Sequence, residues 1–111
     1  MNGMPELQVL VVDDEPAIRQ VLSAALNKAG YPVESAGSAN EALAKLDKTA
    51  FDVVLCDVFM PITDGIELIK LARARGHAAT FIMVTAFASV DSAIDAIKAG
   101  AWDYITKPVH N

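Results

Sequence analysis

The run LQVLVVDDEP, residues 7–16, decides how this chain folds. Its first part, Leu7–Val12, is short and almost wholly apolar, the pattern of a strand buried on both faces of a parallel sheet. It stops abruptly at three carboxylates, Asp13, Asp14 and Glu15, and Pro16 then suits the first turn of a helix. Ile18, Val21, Leu22, Ala25, Leu26 and Ala29 recur at helical spacing and predict one inward face. Gly30 stops that helix and Pro32 prevents its resumption.

The same unit repeats outward from this stretch. Apolar runs at Phe51–Asp57 and Phe81–Thr85, a weaker run at about Val33–Ala36 and the stretch Trp102–Thr106 read as four more strands. Ser38 with Glu41, Asp64 with Glu67, and Ser89 mark three more helix starts. Leu43 and Leu46 are the expected buried side of the second helix. Ile66, Ile69 and Ala72 turn inward on the third, Gly65–Arg75, and Val90, Ala93, Ile94 and Ile97 share a face of the fourth. Strands alternating with helices of this length imply an α/β fold, a parallel sheet with helices on both faces. Residues 1–6 are expected to form a loose N-terminal tail, and residues 7–111 a single domain.

Composition narrows the function. With 53% hydrophobic and 21% charged residues the chain can bury a core, so it is not a disordered segment. A net charge of −5 disfavours direct nucleic-acid binding and attachment to an anionic membrane surface. No apolar run approaches the ~18 residues of a membrane span, and the N-terminus lacks the pattern of a signal peptide. The single cysteine, Cys56, cannot form an internal disulfide and suits a reducing cytosol, so a cytoplasmic location is expected. It precedes Asp57 on the opposite face of its strand, which predicts a small buried thiol. His77 and His110 have no metal-ligand partners at useful spacing and read as surface residues, and Trp102 reads as a packing residue.

In an open parallel sheet, ligands bind beyond the carboxyl ends of the strands. Asp13 and Asp14 follow the first strand there, Asp57 ends the third, Thr85 ends the fourth and Lys107 follows the fifth. If the first and third strands are neighbours, three carboxylates crowd together. Two unit charges ~4 Å apart repel by about 4 kcal/mol at an effective dielectric near 20, so such a group needs a cation. Oxygen ligands without His or Cys suit Mg²⁺ or Mn²⁺. Each residue alone has a blander explanation: an acid favouring a helix N-terminus, an aspartate opening a turn, a strand-end threonine, a solvated lysine. Their joint placement at one sheet edge is what the blander explanations do not cover.

The motifs LVVDDEP around Asp13 and Asp14, VLCDVFMPITDG around Asp57, VTAF around Thr85 and GAWDYITKP around Tyr104 and Lys107 carry a resemblance over Leu7–Val109. The chain resembles a response-regulator receiver domain of two-component signalling. The resemblance implies a flavodoxin-like, doubly wound five-stranded sheet in the order 2-1-3-4-5. It implies that Asp57 accepts a phosphoryl group from a sensor histidine kinase or phosphotransfer protein. Asp13, Asp14, Asp57 and the backbone carbonyl of Phe59 would hold Mg²⁺. Lys107, the Thr85 hydroxyl and the Ala86 N–H would bind the phosphoryl oxygens. Thr85 and Tyr104 would form the switch that signals to an output domain or effector partner, by analogy a transcriptional one. A cis Lys107–Pro108 bond is implied as well. Such a domain catalyses its own phosphorylation and dephosphorylation but is not an enzyme acting on an external substrate.

Three alternatives fit less well. A haloacid-dehalogenase-like phosphatase needs a DxD pattern after the first strand, where this chain has Asp13-Asp14-Glu15. A flavodoxin-type carrier needs a first loop that cradles phosphate, which Asp13 and Asp14 would repel. An adaptor that works without phosphorylation would have no use for the complete set of five site residues.

Two departures from the family pattern stand out. Phe59 and Phe87 occupy positions that flank the path of the hydrolytic water in the family, and neither can hydrogen-bond it. The sequence also stops at Asn111, where a fifth helix is expected to begin. A receiver truncated there should leave apolar surface of the first helix and fifth strand open, Ile105 included, and should self-associate, as a homodimer for example.

Overall fold

A computed structural model describes residues 7–86 and 89–106. Lys107, Pro108 and the bond between them, Phe87, Val109, His110 and the N-terminal tail lie outside the described residues. The strands are β1 (Val9–Val12), β2 (Val33–Ala36), β3 (Val53–Cys56), β4 (Thr80–Thr85) and β5 (Ala101–Thr106). They alternate with α1 (Pro16–Lys28), α2 (Ala39–Lys48), α3 (Gly65–Ala74) and α4 (Val90–Ala99). All neighbouring strands pair in parallel, in the order β2-β1-β3-β4-β5. Fold class and strand order are therefore those the sequence led us to expect, with four helices among the described residues.

Burial explains the central strands. All four residues of β1 are buried, which is why the run carries no polar alternation. Leu10 and Val12 join Val54, Cys56, Phe81 and Met83 in one core under α2 and α3. From those helices come Ala42, Leu43, Leu46, Leu68, Ile69 and Ala72. Leu68, which the helical spacing passed over, is fully buried, while Ile66 is only partly so.

The caps form where the sequence placed them. Ser38 accepts a hydrogen bond from the Glu41 N–H at 3.1 Å and Asp64 one from the Glu67 N–H at 2.8 Å. Ser89 and Ser92 form a reciprocal capping box at the start of α4. Gly100 closes α4 at φ 117°, a left-handed conformation that favours glycine.

Two helical faces are more open than their periodicity alone suggests, and for α1 this is the open apolar surface expected of the first helix. No residue of α1 is buried: Ile18, Leu22 and Leu26 are half-buried, Val21 is 65% exposed, and Ala25 and Ala29 are exposed. The helix packs on β1 and β2, and its more covered apolar residues, Ile18, Leu22 and Leu26, are spaced four residues apart. On α4 only Ala96 is buried, while Val90, Ile94 and Ile97 face solvent. A small residue brings α4 against the sheet, and the larger apolar residues point away.

Trp102 is a further correction, being 73% exposed. Phe81 pairs with Ala101 and Ile82 with Asp103, so Trp102 is the extra residue of a bulge. An inserted residue loses its partner and redirects its side chain, which removes Trp102 from the packing expected of it. Ile105 is 40% exposed, as expected.

Candidate functional site

Strand register brings the acidic residues together. Val12 is level with Cys56 in the β1–β3 pair, so the residues that follow, Asp13 and Asp57, emerge side by side. Backbone bonds hold both: the Asp57 N–H donates to the Val12 carbonyl at 3.0 Å and the Asp13 N–H to the Ala36 carbonyl at 3.1 Å. Asp13, Asp14 and Asp57 each offer a carboxylate oxygen, and these oxygens all lie within 4.8 Å of one another. Asp13 and Asp57 are buried and Asp14 is exposed, so the cluster opens to solvent on one side.

The blander explanations can now be judged. Glu15 is the N-cap residue of α1 and its side chain makes no capping bond, and no acid occupies that helix's first turn. The acids after β1 are therefore not explained as helix caps. Asp13 Oδ1 accepts from the Glu15 N–H at 2.9 Å, and the Asp13 carbonyl accepts from the Arg19 guanidinium at 2.6 Å. Asp57 does open a turn, its Oδ1 accepting from the Phe59 N–H at 3.2 Å. That bond orients the carboxylate as well as the loop.

The loop after Asp57 is tightly closed. The Thr63 N–H donates to the Pro61 carbonyl at 2.8 Å, and Ile62 between them has φ 73°, a strained turn for a β-branched residue. The Gly65 N–H returns to the Val58 carbonyl at 2.7 Å. Phe59 is 46% exposed on this loop. Behind Asp57, Cys56 is fully buried and its Sγ donates to the Asp57 carbonyl at 3.2 Å. Burial foremost, and the charges of Asp57 and Asp13 after it, push the thiol well above its ordinary value, so it stays protonated and can donate.

Thr85 ends β4 one position beyond the level of Asp57, since Cys56 pairs with Met83. It is fully buried, and Ala86 after it is exposed. Tyr104 lies beside Met83 on β5, half-buried, with its hydroxyl 2.5 Å from Ser92 Oγ. Sequence reasoning did not find Ser92, whose only signal was its place three residues after the capping Ser89. Asp13, Asp14, Asp57, Phe59, Thr85, Ala86 and Tyr104 thus lie at or near the carboxyl edge of one sheet, and Lys107 lies outside the described residues.

His77 lies near the surface, half-buried, and makes a bond there that its sequence did not announce. Its Nε2 lies 2.8 Å from Asp47 Oδ1, and Arg75 holds the other carboxylate oxygen at 2.5 Å. The His77 hydrogen bond foremost, with the charge of Arg75 beside it, holds the Asp47 carboxyl below its usual range. This clasp ties α2 to the end of α3, away from the acidic edge. A broad surface depression also lies at that far edge, between Leu7, Phe51, His77 and Ala79. Its lining has one carboxylate, Asp52, and no acidic pair, so it does not compete as a cation site.

Three hard-oxygen donors without imidazole or thiolate fit a hard divalent cation, Mg²⁺ or Mn²⁺, held by Asp13, Asp14 and Asp57. No helix among the described residues is long and apolar enough to cross a membrane.

Comparison with known proteins agrees with this geometry. The family profile described as the response regulator receiver domain matches residues 9–111. The transcriptional regulatory protein ZraR of Salmonella typhimurium is 43% identical over 104 residues, which is 94% of this chain and 24% of ZraR. The transcriptional regulatory protein TrcR of Mycobacterium tuberculosis is 38% identical over 107 residues, 96% of this chain and 41% of TrcR. The chain thus spans less than half the length of either relative. The chemotaxis protein CheY4 of Vibrio cholerae superposes with a TM-score of 0.91 at 37% identity, covering 96% of this chain and 90% of CheY4.

Proposed function

Because this chain belongs to the response regulator receiver family, we propose that it is a phosphorylation-operated switch whose phosphoacceptor is Asp57. The observation that carries the assignment is the convergence of Asp13, Asp14 and Asp57, with oxygens within 4.8 Å, at the carboxyl edge of the sheet. The donor is a sensor histidine kinase or a phosphotransfer protein. One carboxylate oxygen of Asp57 attacks phosphorus in line, an O–P bond forms, and the donor's bond to phosphorus breaks. The released imidazole leaves neutral or takes a proton from water. Positioning and electrostatics supply the acceleration, because charge spreads over the transferring oxygens.

The residues divide the work. The Phe59 N–H orients the Asp57 carboxylate. Asp13, Asp14 and Asp57 would hold Mg²⁺ or Mn²⁺, with the Phe59 carbonyl as a further ligand by the family likeness, and the cation would neutralise charge on the phosphoryl oxygens. The Thr85 hydroxyl and the Ala86 N–H donate to a phosphoryl oxygen, and the Lys107 ammonium pairs with another. The same residues serve dephosphorylation, a second transfer in which water attacks phosphorus, the acyl O–P bond breaks, inorganic phosphate is released and the Asp57 carboxylate is regenerated.

Phosphorylation raises the negative charge at Asp57, and Thr85 is drawn toward it. Tyr104 follows by giving up its hydrogen bond to Ser92, which loosens the start of α4. The altered α4–β5 surface then acts on an output domain or effector protein. ZraR and TrcR carry transcriptional names, and transcriptional control is the output we assign by that likeness. ATP-driven kinases make their phosphoryl groups in the cytoplasm, and we place the switch there.

The test is intact mass after incubation with acetyl phosphate. One added phosphoryl group is expected with Mg²⁺ and none with chelator, and Asp57→Asn should stay unlabelled. Equal labelling of wild type and Asp57→Asn would overturn the assignment.

A further inference from the structure

We propose that Gly65 is a positioning residue for phosphoryl transfer, because its missing side chain lets the first turn of α3 rest directly on the peptide carbonyl of Asp57. The inference rests on the reading of Asp57 as phosphoacceptor. A Cβ at Gly65 would overlap the Asp57 carbonyl oxygen and lie 3.0 Å from its carbonyl carbon and 2.7 Å from Met83 Cε. Real Cβ atoms do not approach backbone so closely. Gly65 does not have a positive φ, so it is not kept for its backbone freedom. It opens a helix, where alanine is intrinsically better. The contact, and not the local conformation, demands glycine.

The two obstructing groups differ in what they can do. Met83 Cε is the end of a flexible side chain and can swing aside. The Asp57 carbonyl cannot move without moving the residue that carries the carboxylate. It is also held from other directions: the Cys56 thiol donates to the same oxygen at 3.2 Å, and the Asp57 N–H is tied to Val12 at 3.0 Å. The Gly65 N–H bond to the Val58 carbonyl at 2.7 Å closes the loop at this point. A side chain at position 65 must therefore displace either α3 or Asp57. Displacing Asp57 misaligns it against Asp13 and Asp14, and misplacement on the scale of an ångström is enough to slow an in-line transfer.

The experiment compares rate constants for acetyl phosphate labelling, by intact mass, in the full chain with Mg²⁺ and well below each melting midpoint. Gly65→Ala should label at least tenfold more slowly than wild type. Leu68→Ala, a fully buried residue one turn along the same helix, should lose stability and keep the wild-type rate constant. Met83→Ala should label normally and should not rescue Gly65→Ala in the double variant. A wild-type rate in Gly65→Ala overturns the proposal, and so does rescue by Met83→Ala, which would move the obstruction to a side chain. Should Gly65→Ala fail to fold, Cys56→Ala decides, since it removes the donor to the same carbonyl. Labelling slowed severalfold supports the seat, and an unchanged rate overturns it. A wild-type chain that takes no label would instead overturn the reading of Asp57 itself.

Discussion

Neutralising Asp14 should make the cation-free protein more stable. The oxygens of Asp13, Asp14 and Asp57 lie within 4.8 Å of one another. At that distance two unit charges repel by about 0.9 kcal/mol in bulk water and about 3.5 kcal/mol at an effective dielectric of 20. Asp14 is exposed, so its two repulsions belong near the lower figure, giving a relief of about 2 kcal/mol. Asp14→Asn keeps the shape of the side chain and, on an exposed residue, disturbs no packing. For a domain of this size the gain corresponds to a rise of about 8 °C in melting temperature. The cation should have the opposite dependence. At ten times its dissociation constant, Mg²⁺ should stabilise the wild type by about 1.4 kcal/mol. It should do little for Asp14→Asn. Thermal unfolding followed by circular dichroism, in chelator and across a Mg²⁺ series, measures both effects. The reasoning is refuted if Asp14→Asn is no more stable in chelator, or if Mg²⁺ raises the two midpoints equally.

Other outcomes follow from particular residues. Leu68→Ala should lose about 2–5 kcal/mol in urea unfolding, because Leu68 is fully buried, whereas Ile97→Ala, at 50% exposure, should lose much less. In the phosphorylated protein, Phe59→Asn should shorten the acyl phosphate lifetime severalfold, since a polar side chain at this 46% exposed position can orient water; an unchanged decay rate rejects that role. Asp47→Asn should lower stability near neutral pH. The folded Asp47 is held below its ordinary value of 3.8, so its contribution is present above that value and is lost as pH falls through the lower folded value. The difference between wild type and variant in chemical unfolding should therefore vanish toward strong acid, and a difference that persists there would contradict the clasp.

Apolar runs ending in carboxylates located β1 and β3, because a strand covered on both faces has little room for a polar residue until it leaves the sheet. The same logic placed Asp13, Asp57 and Thr85 at one edge, since parallel strands all end on the same side. Ser38, Asp64 and Ser89 were legible because an N-cap is a local hydrogen bond between near neighbours. Periodicity alone did not show how open the faces of α1 and α4 are, although open apolar surface on α1 was expected from the family pattern. Periodicity finds an apolar stripe but not what lies opposite it, and so Val21, Ile94 and Ile97 read as inward while the structure leaves them open. Trp102 misled for a related reason, because a one-residue bulge in β5 leaves no mark in composition. The contacts of Gly65 with Asp57, Ser92 with Tyr104 and His77 with Asp47 join residues 8 to 30 positions apart. Only the assembled sheet and its helices bring them together.

We propose Asp57 as the one carboxylate that takes the phosphoryl group. The most direct measurement reduces the labelled protein with borohydride, which converts an aspartyl phosphate to homoserine, and then locates the change by peptide mass spectrometry. Homoserine at position 57 alone, formed only when both phosphodonor and Mg²⁺ were present, is the predicted result. Homoserine at position 13 or 14, or a phosphoryl group that survives on a serine, threonine or histidine, would contradict the account.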